Sequence, residues 1–150
     1  MIKASLLWSS ITFKTLNFLP FISVSLIKSI DHNREALINE AYYSIPAKRL
    51  VESLKKLIIF RSKPKRIRTD NGPEFISKIF VNFCQEQGIE LQYIQPGKPA
   101  QNAYIERLNR TFREDIIDAY LFQNIQEVNT LAFDCRWIII KITRINHSMV

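Results

Sequence analysis

Apolar and polar positions over the first third of the chain follow the pattern of β-strands. Residues 1–30 are rich in Ile, Leu, Phe and Ser, and residues 36–43 are interpreted as a further strand. These residue types favour a pleated, partly buried surface. The pattern therefore predicts the first strands of a sheet.

The period changes to that of a helix after Pro46. Proline is tolerated in a first helical turn, and apolar residues then recur at helical spacing up to about Phe60. The positions that form this face are Leu50, Val51, Leu54, Leu57 and Ile58. We expect the helix to bury this face against the sheet.

Strands and helices alternate in the rest of the chain. Residues 67–69 predict a short strand that ends at Asp70, in the turn sequence Asp-Asn-Gly-Pro. A helix is predicted over residues 74–87 with Gly88 capping its end, followed by a strand over residues 89–94.

A last helix is predicted over about residues 103–120. Asn102 is placed to cap its start, and Glu106 falls in its first turns. The alternation of strands and helices predicts an α/β fold, with a layered sheet flanked by helices, and argues against a helical bundle.

Composition narrows the choice of partners. A chain of 150 residues with 47% hydrophobic content suits one domain with a real core. Its 21 basic and 14 acidic residues leave a net charge of +7 and a pI near 9.6, which favours a polyanion such as nucleic acid. Basic proteins without nucleic-acid partners are common, so charge alone does not decide.

The cysteines and an apolar run near the N-terminus bear on the class of protein. Cys84 and Cys135 lack the paired spacing of a zinc site, and we interpret both as reduced core thiols. Residues 16–30 are apolar enough to suggest a signal peptide or an anchor. Spanning a membrane takes about 20 apolar residues, and polar residues interrupt this run too early. We favour a buried strand in a cytoplasmic protein, with no membrane partner, and keep the anchor as an alternative.

Two acidic residues have the setting of metal ligands. Asp70 ends a strand, Glu106 lies on a helix, and 35 residues separate them. Divalent magnesium prefers hard oxygen ligands held on rigid elements. Each acid also has a simpler interpretation. Asp70 can belong to a plain surface turn, and Glu106 can complement the helix dipole or pair with Arg110.

The sequence around both acids resembles a known family. The segments RIRTDNGPEF, GIELQYIQPGKP and QNAYIERLNRTFRED are similar to those around the second aspartate and the glutamate of DDE insertion-sequence transposases of the IS-three group. The spacing of the two acids matches as well, and the resemblance runs from about residue 30 to 126. These transposases resemble retroviral integrases and share the ribonuclease-H-like fold, which implies a mixed sheet flanked by helices.

The resemblance also implies a chemistry. Such enzymes use water to cut DNA at a transposon end, and then use the freed 3′-hydroxyl to attack a phosphodiester. Asp70 and Glu106 would be the catalytic residues and would hold Mg²⁺ or Mn²⁺. Assembly on DNA, as a homo-oligomer or mixed with a full-length transposase, is also implied.

Basic and polar residues around the two acids are candidates for DNA contacts. Phosphate contacts supply most sequence-independent affinity for DNA, although each basic residue alone fits a solvated charged surface equally well. Two of the candidates, Asn102 and Tyr104, rest on the resemblance only. The full set is Lys65, Arg66, Arg68, Lys98, Asn102, Tyr104, Arg107, Arg110 and Arg113.

Both ends of the chain depart from the family pattern. The first catalytic aspartate of the family would align before residue 1. Asp31 follows a different strand, so we interpret Asp31 as an acid that does not take the place of that catalytic aspartate. We divide the chain into degenerate strands at 1–30, a catalytic core at 31–126 and a divergent tail at 127–150. The first strand and the C-terminal end are therefore expected to be incomplete or altered.

The missing aspartate changes the expected activity. It normally bridges both metal ions, so its absence predicts weak metal binding and a core that is catalytically weak or dead. The alternative is a non-catalytic DNA-binding remnant that interferes with a full-length transposase.

Overall fold

The computed structural model describes residues 5–13, 22–29, 36–95 and 97–134. These residues form one sheet with helices packed around it. In chain order the elements are β1 (Ser5–Phe13), β2 (Ile22–Ser29), β3 (Ala36–Tyr42), α1 (Ala47–Arg61), β4 (Arg66–Thr69), α2 (Pro73–Ile76), α3 (Lys78–Glu86), β5 (Glu90–Tyr93), α4 (Pro99–Phe112), a π-helical turn (Arg113–Ile117) and α5 (Ile125–Asp134).

The described strands form a five-stranded mixed sheet in the order β3-β2-β1-β4-β5. β1, β2 and β3 are antiparallel neighbours, whereas β4 runs parallel to β1 and β5 runs parallel to β4. Thr69, the last residue of β4, pairs with Trp8. β1 continues beyond this pair to Phe13, so the end of β4 lies beside the middle of β1.

One hydrophobic core forms where α1, α2 and α3 pack on β4. Of the apolar face predicted for α1, Leu50, Val51, Leu54 and Leu57 are buried there and Ile58 is partly buried. Ile67 from the strand is buried with them. Phe75 and Phe80 meet edge to face with their ring centroids 5.6 Å apart. Cys84 is a free thiol in this core, and burial raises its pKa to about 12. Cys135 lies outside the described residues.

The helix predicted over residues 74–87 is in fact two helices. The chain turns extended at Ser77, where ψ is 145°, and the Ser77 hydroxyl accepts a hydrogen bond from the Phe80 N–H that caps α3. Serine competes with the helical backbone in this way, and so favours caps over helix interiors.

The glycine cap predicted at the end of α3 is confirmed. Gly88 adopts φ +66°, and its N–H donates to the Gln85 carbonyl while the Ile89 N–H donates to the Cys84 carbonyl. This pair of bonds is a Schellman motif, which turns the chain from α3 directly into β5.

Helix α4 begins at Pro99 and not at Ala103. Proline suits a first helical turn, so Asn102 lies inside the helix and is not its cap, contrary to the sequence prediction. The helix widens into a π turn at its end, where the Asp118 N–H donates to the Arg113 carbonyl at 2.8 Å. The consecutive residues Ile116 and Ile117 of this turn are both buried.

Helix α5 was not predicted, and it covers the free edge of the sheet. The Asn129 side chain accepts from the Ala41 N–H at 2.7 Å and donates to the Ala41 carbonyl at 2.9 Å. It thereby satisfies backbone groups of β3 as a further strand would. Val128 and Ala132 on this helix are fully buried.

The apolar run at residues 16–30 is described in part. Its residues 22–29 form strand β2, as the strand interpretation predicted. Over the described ranges, no helix combines the length and the apolar character that crossing a membrane requires.

Candidate active site

Asp70 lies directly after β4, at the carboxyl end of the strand. Its carboxylate accepts a hydrogen bond from the Gly72 N–H at 3.1 Å, which fixes the turn. The side chain is half-buried, and burial raises the pKa of Asp70 while the Gly72 bond opposes the rise. Among the described residues, Asp70 has no salt bridge. A partly desolvated carboxylate without a cationic partner is typical of a cation site.

Glu74 is a second acid at this turn, which the sequence analysis did not single out. A Cβ at position 72 would lie 2.8 Å from its Oε1, so its carboxylate lies over Gly72 and only glycine leaves it in place. Burial raises the pKa of Glu74, and the negative charge of Asp70 raises it further. The sequence signal was the glutamate two residues after a turn glycine.

Three hydrogen bonds tie this turn to β5. The Ile94 N–H donates to the Thr69 carbonyl at 2.9 Å, and the Asn71 side-chain amide donates to the Ile94 carbonyl at 3.1 Å. The Tyr93 hydroxyl donates to the Phe75 carbonyl at 2.9 Å. The ends of two parallel strands and the start of α2 therefore form one bonded unit.

Glu106 lies on α4 and is exposed. α4 contacts β1, the strand directly beside β4, so the helix that carries Glu106 belongs to the same region of the fold as Asp70. No salt bridge joins Glu106 to Arg110 in the described part of the chain, so the ion-pair interpretation of Glu106 is not observed. Among the described residues, no three His, Cys, Asp or Glu side chains group closely enough to hold a metal ion.

The basic residues among the predicted DNA contacts divide into two sets. Arg66 pairs with Glu90 at 3.0 Å and lowers the pKa of that carboxyl by its hydrogen bond, and Arg113 pairs with Asp118 at 3.1 Å. The second set has no salt bridge within the described ranges, and it comprises Lys65, Arg68, Lys98, Arg107 and Arg110.

Three predictions fall outside what the structure describes. Asn102 and Tyr104 lie in α4, but only their backbone is described. Asp31 lies outside the described residues.

Sequence comparison identifies the family. Residues 26–99 match the integrase core domain, and residues 87–135 match a second description of the same domain. The chain is 37% identical over 106 residues to an uncharacterised 39.2 kDa protein of insertion element IS476 from Xanthomonas euvesicatoria. The chain belongs to the integrase-core family. The matched region contains both Asp70 and Glu106.

The curated relatives of this integrase core are longer proteins. The IS476 match covers 71% of this chain and 31% of the relative, and a protein of insertion element IS407 from Burkholderia multivorans is 37% identical over 92 residues, which is 33% of its length. The chain thus spans about a third of these relatives. It is also 39% identical over 59 residues to the Gag-Pro-Pol polyprotein of bovine leukemia virus, covering 39% of this chain and 4% of that one.

Solved structures support the fold. The integrase core superimposes on a chain of the simian T-cell lymphotropic virus intasome in complex with PP2A regulatory subunit B56 gamma, with TM-score 0.70, 17% identity, and coverage of 93% of this chain and 55% of that one. It also superimposes on the HTLV-2 integrase catalytic core domain in complex with magnesium, with TM-score 0.61, 16% identity, and coverage of 94% and 82%. The mixed α/β architecture is therefore the ribonuclease-H-like fold expected from the sequence.

Proposed function

We propose that this chain is the core segment of an insertion-sequence transposase that binds DNA ends for cleavage and strand transfer. The observation that carries the proposal is the half-buried carboxylate of Asp70, which stands at a strand end without a cationic partner in the described part of the chain. Transposon ends and target DNA would be its partners, in the cytoplasm, with assembly as a homo-oligomer or with a full-length transposase.

Asp70 and Glu106 are the residues we assign to Mg²⁺ or Mn²⁺. The donor set fits a hard cation because it consists of carboxylates, and because burial makes the negative charge of Asp70 unfavourable until a cation offsets it. Glu74 adds a second negative charge at the same turn. Bound metal would supply charge neutralisation at the reacting phosphate.

The residues of this chain would position the DNA. Lys65, Arg68, Lys98, Arg107 and Arg110 carry no competing salt bridge among described residues, although Lys65 interacts electrostatically with Glu90. The charges of the other four are open to phosphate. Arg66 and Arg113 must first break their salt bridges with Glu90 and Asp118, which lowers their contribution to DNA affinity.

We further propose that turnover is low. Strand β1 pairs with β4 but contains no acidic residue, so the neighbouring strand adds no carboxylate to Asp70. Two-metal phosphoryl transfer usually takes three or more carboxylates. The same observation favours the second candidate function, a non-catalytic DNA-binding remnant that interferes with a full-length transposase through mixed assembly.

Strand cleavage with Mg²⁺ on DNA that carries the element's ends separates these functions. The chain is compared with Glu106→Gln, which keeps the shape of the side chain and removes its charge. Slow cleavage that disappears in the variant supports an enzyme. No cleavage by either protein, with DNA binding retained, supports the remnant.

A further inference from the structure

We propose that Asn71 is a positioning residue that anchors the loop between the Asp70 turn and the helix carrying Glu106. The inference rests on the proposed function, because it concerns how the two assigned metal ligands are kept together. Its basis is the hydrogen bond from the Asn71 amide to the Ile94 carbonyl at 3.1 Å.

The Asn71 hydrogen bond lies at the start of the loop between β5 and α4. β5 ends at Tyr93 and α4 begins at Pro99, so the chain between Ile94 and the helix is very short. Ile94 is bound at both of its backbone groups, by Thr69 at the nitrogen and by Asn71 at the oxygen. The first residue beyond β5 is therefore fixed to the two residues on either side of Asp70.

Within the described part of the chain, no side chain caps the start of α4. The N-cap of α4 is Lys98, which offers no side-chain hydrogen bond to the helix, and Gly97 in the preceding loop adopts φ +81°. Uncapped helix ends leave backbone donors unsatisfied and fray more readily. The direction in which α4 leaves the sheet is therefore set at its start by the anchoring of Ile94, and further along by the contact of α4 with β1.

The side chains of Asp70 and Asn71 make hydrogen bonds in different directions. The Asp70 carboxylate accepts from Gly72 within its own turn, while the adjacent Asn71 reaches across to the next strand. A carboxylate at position 71 could not donate this bond, whereas an amide can. Asparagine is therefore the residue that links the Asp70 turn to the loop leading to Glu106.

The test compares Asn71→Ala with Tyr93→Phe. Both variants lose one side-chain hydrogen bond to a backbone carbonyl. The Tyr93 bond joins β5 to α2, so Tyr93→Phe keeps the Asn71 bond at the start of the loop. Mn²⁺ affinity is measured by electron paramagnetic resonance, and backbone mobility by hydrogen-exchange mass spectrometry. We expect Asn71→Ala to bind Mn²⁺ about tenfold more weakly, the usual effect of removing a group that orients a ligand.

The two measurements separate the possible outcomes. Weaker Mn²⁺ binding in Asn71→Ala alone, with faster exchange confined to residues 95–106, supports the inference. Wild-type affinity in Asn71→Ala overturns it and leaves the proposed function intact. Equal losses in both variants, with faster exchange throughout α1 as well, mean general loosening and also overturn it. Absence of Mn²⁺ binding in the wild type contradicts the proposed metal site, and the exchange pattern at residues 95–106 then decides alone whether Asn71 anchors the loop.

Discussion

The Asp70 turn and the outer face of α4 carry the two halves of the proposed site, and they are built in opposite ways. The turn is half-buried, lies next to the fully buried Phe75, and is tied to β5 by hydrogen bonds. The α4 face is exposed at Glu106, Arg107 and Arg110, and its charges have no salt bridges within the described residues.

This difference suits the turn to holding a cation and the helix face to contacting phosphates. The turn fixes a carboxylate before any ligand arrives, at a cost in stability because its charge is desolvated. The helix face keeps its charges hydrated and free, which suits phosphates that bind along a duplex. The site therefore joins a half-buried half to a solvent-exposed half, and changes in either half should have distinct consequences.

The largest expected effect is on folding. Phe75→Ala removes a fully buried ring that packs on Phe80, and we expect a loss of about 3–5 kcal/mol in unfolding free energy. Arg107→Ala on the exposed face should change it by less than about 0.5 kcal/mol. Chemical denaturation measures both values. Comparable losses would show that the two halves do not differ in burial.

The next effect is on DNA affinity. Arg107→Ala and Arg110→Ala should each reduce the dependence of log affinity on log salt by about 0.9, the contribution of one phosphate contact. Arg113→Ala should reduce it less, because Arg113 is paired with Asp118. Fluorescence anisotropy over a salt series gives the slopes. Equal slopes for all three variants would mean that pairing does not govern their contribution.

A smaller effect is expected at Asp70 itself. Asp70→Asn removes a desolvated charge, so without divalent metal it should raise the melting temperature. The increase should be only a few degrees, because the partly exposed carboxylate is screened by solvent. Glu106→Gln, on the exposed face, should leave it unchanged.

The dependence on pH provides the control for Asp70→Asn. Because the folded pKa of Asp70 is raised, its ionised form costs stability above that pKa, and the cost is absent below the ordinary value of 3.8. The advantage of the variant should thus vanish as the pH falls towards 3.8 and grow as it rises. An advantage that is the same at every pH would exclude desolvation as its cause.

The smallest effect is predicted at Thr69, beneath the turn. Its hydroxyl is fully buried and has no hydrogen-bond partner among the described residues. Thr69→Val removes this unsatisfied group and keeps the shape, so stability should stay the same or rise slightly. Ser53→Ala should instead destabilise by about 1 kcal/mol, because the Ser53 hydroxyl donates to Glu40 at 3.2 Å. A clear loss in Thr69→Val would reveal a partner for its hydroxyl.

Sequence patterns predicted the parts that local periodicity encodes. The α1 face, the end of β4 at Asp70 and the glycine cap at Gly88 follow from spacing and residue type, and the structure confirms them. The Asp70–Glu106 pairing as a metal site stays a prediction.

Contacts between distant segments were not predictable. Asn129 meets Ala41 far away in the chain, and the placement of the Glu74 carboxylate depends on the shape of the turn around Gly72. Such contacts depend on how elements pack, which no local pattern contains. The π turn at the end of α4 was missed for the same reason, since burying Ile116 and Ile117 together requires knowing what packs on them.

Manganese binding to wild type, Asp70→Asn and Glu106→Gln tests most directly whether a turn carboxylate and a helix carboxylate hold one cation. We predict that each substitution weakens the affinity by at least about tenfold, although Glu106 is exposed and its substitution is expected to leave the stability unchanged. Wild-type affinity in Glu106→Gln would contradict the account, because the cation would then belong to the Asp70 turn alone.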